Sequence, residues 1–345
     1  MIDDDTISLL TAHASAQSLL ARLRAKGAAC RVWLAGSARR LEERMDRVEL
    51  LVCGSMPLSA EEIGPGFDIS ITEPEGEGWA LVECTGAGAF MAEMEEARQA
   101  AGLPWPLPDK KCERELVEET FGEYLPPWLR SDRIDRSDPP RPAGDMLIVP
   151  RATASAKSEV IGYLDAVGGS VFVADDGGPV ASLLAMLNER MDNPRVQLST
   201  VIPKASGLRD DRGSVVILDA TSMSGNPDIV CNEIDSVREA TDKPVLLLNP
   251  TGRKPSNDMY GQRDGVDDIA RKCAAVGIPL LVCGHPARLS PGDEETSAFI
   301  AAGCYIALGS GGNRPDRCKF GLNCATAMAA RAGAKARDIW NPAKS

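Results

Sequence analysis

The residues with the clearest capacity for chemistry lie between positions 32 and 85. An apolar run, Val32 to Leu34, ends in Gly36-Ser37, and two arginines, Arg39 and Arg40, follow directly. A glycine-serine turn after a strand presents backbone N–H groups and a hydroxyl to an oxyanion, and a nearby arginine can add a bidentate contact. Gly36, Ser37 and Arg40 are therefore candidate phosphate ligands. The competing reading is a plain connection between two strands with a solvated, charged turn. A second apolar run follows from Val48 to Val52, with Asp46, Arg47 and Glu49 at its start, and Asp68 lies alone in the next one, "FDISITEP".

Elements must hold these groups in place. The pattern predicts a helix over about 7–26, strands at 31–35, 48–53, 67–72 and 79–84, and helices near 87–101 and 113–121. "SDRIDRSDPPRPAGD" (131–145) mixes charge with three prolines and reads as a linker. After it come short apolar runs separated by helical segments: 145–149, 170–174, 196–202, 214–218, 244–248, 279–284 and 304–309. Unbroken apolar runs suit parallel strands covered on both faces, and seven of them with intervening helices predict an α/β barrel or a doubly wound sheet.

The 345 residues leave room for two ordinary cores. Ten scattered cysteines without a CxxC pair suit reduced thiols in a cytosol better than a disulfide framework. The acidic start "MIDDDTISLL" and the absence of an 18-residue apolar run argue against a secretory leader and a membrane anchor, so a cytoplasmic location is expected. Formal net charge is -12. From Gly311 onward seven Lys/Arg stand against two Asp, so the preceding residues carry about -17. That balance predicts weak or no duplex DNA binding, because such affinity comes largely from neutralising phosphates. What basic surface exists is expected around Arg314, Arg317, Lys319, Arg331, Lys335 and Arg337.

The order of the pieces carries a resemblance. The Gly-Ser-x-Arg-Arg turn, the following strand, Asp68, the Thr85-Gly86 turn and "EYLPPWLR" (123–130) resemble the palm and thumb of a bacterial family X DNA polymerase. Residues beyond 143 resemble the PHP domain that follows in that family, in strand order, in "LLLNPTGR" (246–253) and in "CATAMAARAGAKARDIW" (324–340). The resemblance implies an α/β chain: a nucleotidyltransferase-like palm (1–86), a thumb-like segment (87–130), a linker (131–143) and a seven-stranded PHP-like barrel (144–345). No counterpart of the family's N-terminal helix-hairpin-helix module is expected in these residues.

The departures from the family set the functional expectation. The family's Asp-x-Asp pair falls on Arg47-Val48-Glu49, while its third aspartate falls on Asp68. Two-metal transfer needs clustered carboxylates around cations about 3.5–4 Å apart, and an arginine there carries a charge it cannot shed. If the palm were active, Asp46, Glu49 and Asp68 would be its carboxylates and Mg or Mn its cofactor; otherwise no cofactor is expected. The PHP ligand positions fall on Leu147, Val149, Asp175-Asp176 and Asn249, and the chain has only two histidines, His13 and His285. A trinuclear cluster without its ligands does not fill. A weaker soft-metal alternative is Cys283, His285 and Cys304, whose spacing matches no zinc signature. The glycine-rich "ALGSGGNRP" (307–315) reads as a phosphate loop or a plain barrel loop. The expectation is a catalytically degenerate scaffold with a protein partner or self-assembly. The alternatives are a repair polymerase or exonuclease relative with a rearranged metal site, and a nucleotide- or anion-binding module.

Overall fold

In the computed structural model the described residues are 7–105, 112–148, 170–175, 196–208, 213–223, 226–252, 264–286, 288–312 and 315–342. The chain divides into two units, Met1–Ile134 and Asp135–Ser345, so residues 1–86 and 87–130 fall in one unit and the division lies inside 131–143.

The first unit begins with α1 (Leu9–Ala25), whose Ser8 side chain accepts the N–H of Thr11 as an N-cap. Its buried face, Leu9, Ala12, Ala16, Leu19 and Leu23, has helical spacing. Three strands form one sheet: β1 (Cys30–Leu34), β2 (Val48–Gly54) and β3 (Phe67–Thr72). β2 lies in the middle, antiparallel to β1 and parallel to β3. A one-turn helix, α2 (Gly36–Arg39), follows β1 directly.

The strand expected at 79–84 is a helix, α3 (Glu77–Thr85). Its buried residues, Gly78, Leu81, Val82 and Thr85, recur at three and four. A strand would have put exposed Glu83 on the same face as buried Leu81. The segment is apolar enough for either element, and its burial follows the helical period. Two more helices, α4 (Gly88–Ala100) and α5 (Glu113–Phe121), pack with α3 around Val82, Phe90, Met94, Leu116 and Val117.

The second unit is a seven-stranded parallel sheet in sequential order: β4 (Gly144–Ile148), β5 (Ser170–Asp175), β6 (Val196–Ile202), β7 (Val215–Asp219), β8 (Val245–Leu248), β9 (Leu280–Cys283) and β10 (Ile306–Gly309). Every pairing is parallel, and all seven strands fall on the predicted apolar runs. The central strands are buried along their length because helices cover them; α6 (Pro227–Ala240), α7 (Val266–Val276), α8 (Asp293–Ala301) and α9 (Pro315–Arg331) alternate with β7 to β10. Inside, Phe172, Ile217, Leu248, Leu281 and Trp340 share one core.

The sheet curls until β4 and β10 meet without pairing as strands, which makes a nearly closed barrel. A buried hydrogen bond crosses that seam: the fully buried Asp145 carboxylate accepts the N–H of Ser310 at 2.8 Å. Asp145→Ala would leave that buried N–H without its acceptor, at a cost of about 1–3 kcal/mol. Urea unfolding is expected to show a loss of that size. A loss below about 0.5 kcal/mol would mean that the seam is held elsewhere.

Candidate functional site

The turn at Gly36 is the best-defined polar site in the first unit, and an internal carboxylate fills it. Gly36 sits at φ +49, and a Cβ there would lie 1.5 Å from Glu49 Oε2, so only glycine fits. The Ser37 N–H donates to that same oxygen at 2.9 Å. Glu49 thus holds the position that a phosphate oxygen would take on such a turn. It reaches there from β2, because β1 and β2 are neighbours and Glu49 comes in near the start of β2, where the Ala35 N–H donates to the Glu49 carbonyl.

The arginines are equally engaged within the chain. Arg40 donates from Nε to Glu42 at 2.7 Å, from Nη1 to the Thr85 carbonyl at 2.9 Å and from Nη2 to the Ser37 hydroxyl at 3.0 Å. Its side chain is largely buried. Arg39 forms a two-pronged pair with Glu113, each bond 2.5 Å, and also donates to the Thr85 hydroxyl. Glu113 receives a third donor, Arg130 Nη1, at 2.6 Å; Arg130 is fully buried, with its guanidinium over Phe90 and Tyr124. Burial by itself would raise the Glu113 carboxyl. The hydrogen-bonded charge of Arg39, with Arg130 beside it, outweighs burial and holds the carboxyl below its ordinary value.

Of the candidate carboxylates, two come together. Glu49 and Asp68 are direct neighbours across the parallel β2–β3 pair. Cys84 of α3 lies near both, and its thiol is raised by burial and by the carboxylates of Glu83, Glu49 and Asp68, against a Ser70 hydrogen bond that lowers it. Asp46 does not join them in the sheet. It lies with Arg47 on the exposed bend before β2 begins at Val48. One member of the remaining pair, Glu49, is already committed to Ser37. Among the described residues no group of three His, Cys, Asp or Glu side chains is placed to hold a metal ion.

The soft-metal trio Cys283, His285 and Cys304 does not assemble. Cys283 ends β9 and pairs in register with Gly309 of β10, whereas Cys304 precedes β10 and its thiol donates to the Ala270 carbonyl at 3.2 Å. Five residues of strand separate the two levels, about 16 Å at the usual rise. Spacing in sequence concealed this, because the residues sit at opposite ends of parallel strands. Burial pushes the Cys283 thiol up to about 11, so it stays protonated. Burial, with the charges of Arg288 and Arg317, lowers the His285 pKa and so disfavours its charged form. The glycine-rich loop has a packing cause: a Cβ on Gly311 would stand 2.7 Å from Cys283 Sγ.

At the C-terminal ends of β7 and β8, four polar residues form a chain of hydrogen bonds. Asp219 accepts the hydroxyl of Thr221, Asn249 Nδ2 donates to Thr221 Oγ1 at 2.7 Å, and Ser290 Oγ donates to Asn249 Oδ1 at 2.6 Å. Asn249 is buried and holds φ +52, a left-handed conformation that asparagine tolerates better than most residues. Thr221 and Ser290 carry no local signature; their shared partner Asn249 lies 28 and 41 residues away along the chain. Of the other positions raised by the sequence, Val149, Asp176 and Arg314 lie outside the described residues. His13, on α1, is half-buried, and burial lowers its pKa. No described helix is long and apolar enough to cross a membrane.

No family model and no curated protein matches this chain. Two of the solved structures similar to it illustrate the likeness. One is Leishmania infantum polymerase beta in a ternary P/T complex, at 14% identity over 37% of this chain and 77% of that one, with a TM-score of 0.30. The other is a putative fructose-1,6-biphosphate aldolase from Coccidioides immitis, at 9% identity over 55% of this chain and 86% of that one, also with a TM-score of 0.30. Neither likeness bears on activity.

Proposed function

We propose that this chain is a catalytically degenerate relative of the polymerase X–PHP architecture. In this reading it is a scaffold that works through a protein partner or self-assembly, without nucleotidyl transfer or metal-dependent phosphoester cleavage. The observation that carries the reading is the Glu49 carboxylate seated on the Gly36-Ser37 turn. A group that should bind a cation is bonded to the backbone that should bind an anion, so both halves of a nucleotide–metal site are satisfied internally. The engagement of Arg39 with Glu113 and of Arg40 with Glu42 and Thr85 points the same way. In the barrel, Asn249 spends its amide on Thr221 and Ser290 at a position where the resemblance implies a metal-binding histidine.

The reading implies no resident cofactor, weak duplex DNA binding and a cytoplasmic location. Purified full chain is expected to add no nucleotide to a primer above background with Mg²⁺ or Mn²⁺, and to carry less than one transition metal per chain. Primer extension that disappears in Asp68→Ala, or two to three bound metals per chain, would move the assignment to a repair enzyme with a rearranged site. Nucleotide-dependent thermal stabilisation without metal would favour an anion-binding module.

A further inference from the structure

The barrel's second polar feature lies at the opposite end from the strand termini that carry Asn249 and His285. A cleft of about 670 Å³ opens where the chain enters β4, β9 and β10. Pro279 immediately precedes β9 and Tyr305 immediately precedes β10, while Arg141 lies just before β4. The other wall comes from the C-terminal segment. There Ile339 bridges to Ile306, and the Trp340 N–H donates to the Ile306 carbonyl. Trp340 is anchored on its inner side against Phe172, ring centroids 6.5 Å apart, so this wall is part of the barrel core.

The lining inverts the chemistry of the rest of the chain. Acidic residues outnumber basic ones, 50 to 38, yet the cleft is lined by two arginines and by no aspartate or glutamate among the described residues. Arg141 makes no hydrogen bond or ion pair with any described residue. Arg337 is 84% exposed, and its nearest carboxylate is the adjacent Asp338 at 3.7 Å, whose other oxygen accepts the Lys335 N–H. Elsewhere in this unit the buried Arg331 is matched to Asp293, and Lys335 to Asp135. Tyr305 is 57% exposed, so its ring is open to solvent at the cleft.

Two forked cations at the rim of a cleft with aromatic and aliphatic walls are complementary to one kind of small molecule. The head must be an oxyanion, which a guanidinium binds through two parallel hydrogen bonds. The body must be flat and apolar, because an aromatic face suits both the Tyr305 ring and a guanidinium plane. The volume lies in the range that holds such ligands. We propose that this cleft binds an aromatic anion, a carboxylate or a phosphate monoester, with its head on Arg141 and Arg337 and its ring over Tyr305 against Pro279 and Ile339. The proposal is independent of whether the first unit transfers nucleotides.

Ligand-observed NMR titration of the full chain tests it with four probes. Benzoate and phenyl phosphate carry both halves of the ligand; benzyl alcohol and inorganic phosphate carry one each. At least one aromatic anion is expected to bind tenfold or more tightly than both single-half controls, and the tighter of the two identifies the head group. The double variant Arg141→Ala/Arg337→Ala is expected to lose that affinity tenfold or more with an unchanged melting temperature, both side chains being exposed. Should the double alanine variant melt early, Arg141→Lys/Arg337→Lys keeps the charge and loses the fork, and it is expected to fall between the two. Aromatic anions that bind no better than inorganic phosphate, or binding that survives the arginine substitutions, would overturn the proposal.

Discussion

Glu113→Ala is expected to destabilise the first unit by about 3–5 kcal/mol at neutral pH, the range for removing one partner of a buried charge pair. The reason is the company that Glu113 keeps. It accepts two bonds from Arg39 and one from Arg130, and Arg130 is fully buried. Without the carboxylate, a guanidinium would remain in the interior, and arginine cannot discharge itself by losing a proton. Glu113→Gln keeps an acceptor oxygen and is expected to cost less than alanine, though still more than 1 kcal/mol. The pH dependence has a definite sign. The folded carboxyl titrates below the ordinary value of 4.5, so its contribution is complete above that pH and is lost as pH falls through the folded-state value. The difference between wild type and Glu113→Ala should therefore shrink as pH falls below the ordinary value of 4.5. Urea unfolding followed by tryptophan fluorescence reads this directly, since Trp79 and Trp105 stack edge to face in the same unit. A difference below 1 kcal/mol at pH 7 would mean that Arg39 and Arg130 find other partners.

Asn249→Ala is the second large effect, expected at about 2–4 kcal/mol in the barrel unit. Two contributions add. The amide bonds both Thr221 and Ser290; Thr221 keeps Asp219 as its acceptor, whereas the buried Ser290 hydroxyl would lose its acceptor at a cost of about 1–3 kcal/mol. The backbone at φ +52 also penalises alanine by about 1 kcal/mol or more. Asn249→Gly separates the two, because glycine accepts the backbone and still loses the amide. Glycine is expected to be less damaging than alanine by about the backbone contribution. If the two variants unfold at the same urea concentration, the left-handed backbone carries no cost. If both match wild type, the polar chain from Asp219 to Ser290 is not structural.

The unbroken apolar runs marked the parallel strands in the sequence and left a barrel and a doubly wound sheet both open. Seven runs such as "SVVIL" and "PVLLL" could bury both faces only between layers of helix, so strand type, number and parallel order followed from local hydrophobicity. The same criterion failed at 79–84. "WALVEC" is apolar enough for either state, and the winning factor was its packing against α4 and α5, which needs a helical face. Residue type marked Gly36, Ser37 and Arg40, the family resemblance implied Glu49 and Asp68, and the parallel β2–β3 register places Glu49 beside Asp68.

What the residues themselves determined was therefore the inventory: which segments bury, where a glycine-serine turn stands beside arginines, and that only two histidines are present. What only the tertiary structure decided was how that inventory is spent. Nothing in the order of residues says that Glu49 turns onto Ser37, that Arg39 and Arg130 share Glu113 across 74 and 17 positions, or that Cys304 lies a strand's length from Cys283. Hydrophobic periodicity is a local property and survives in the sequence. Pairing between polar groups is set by the distance between side chains after folding, and residues far apart along the chain become neighbours only when the core they flank has closed.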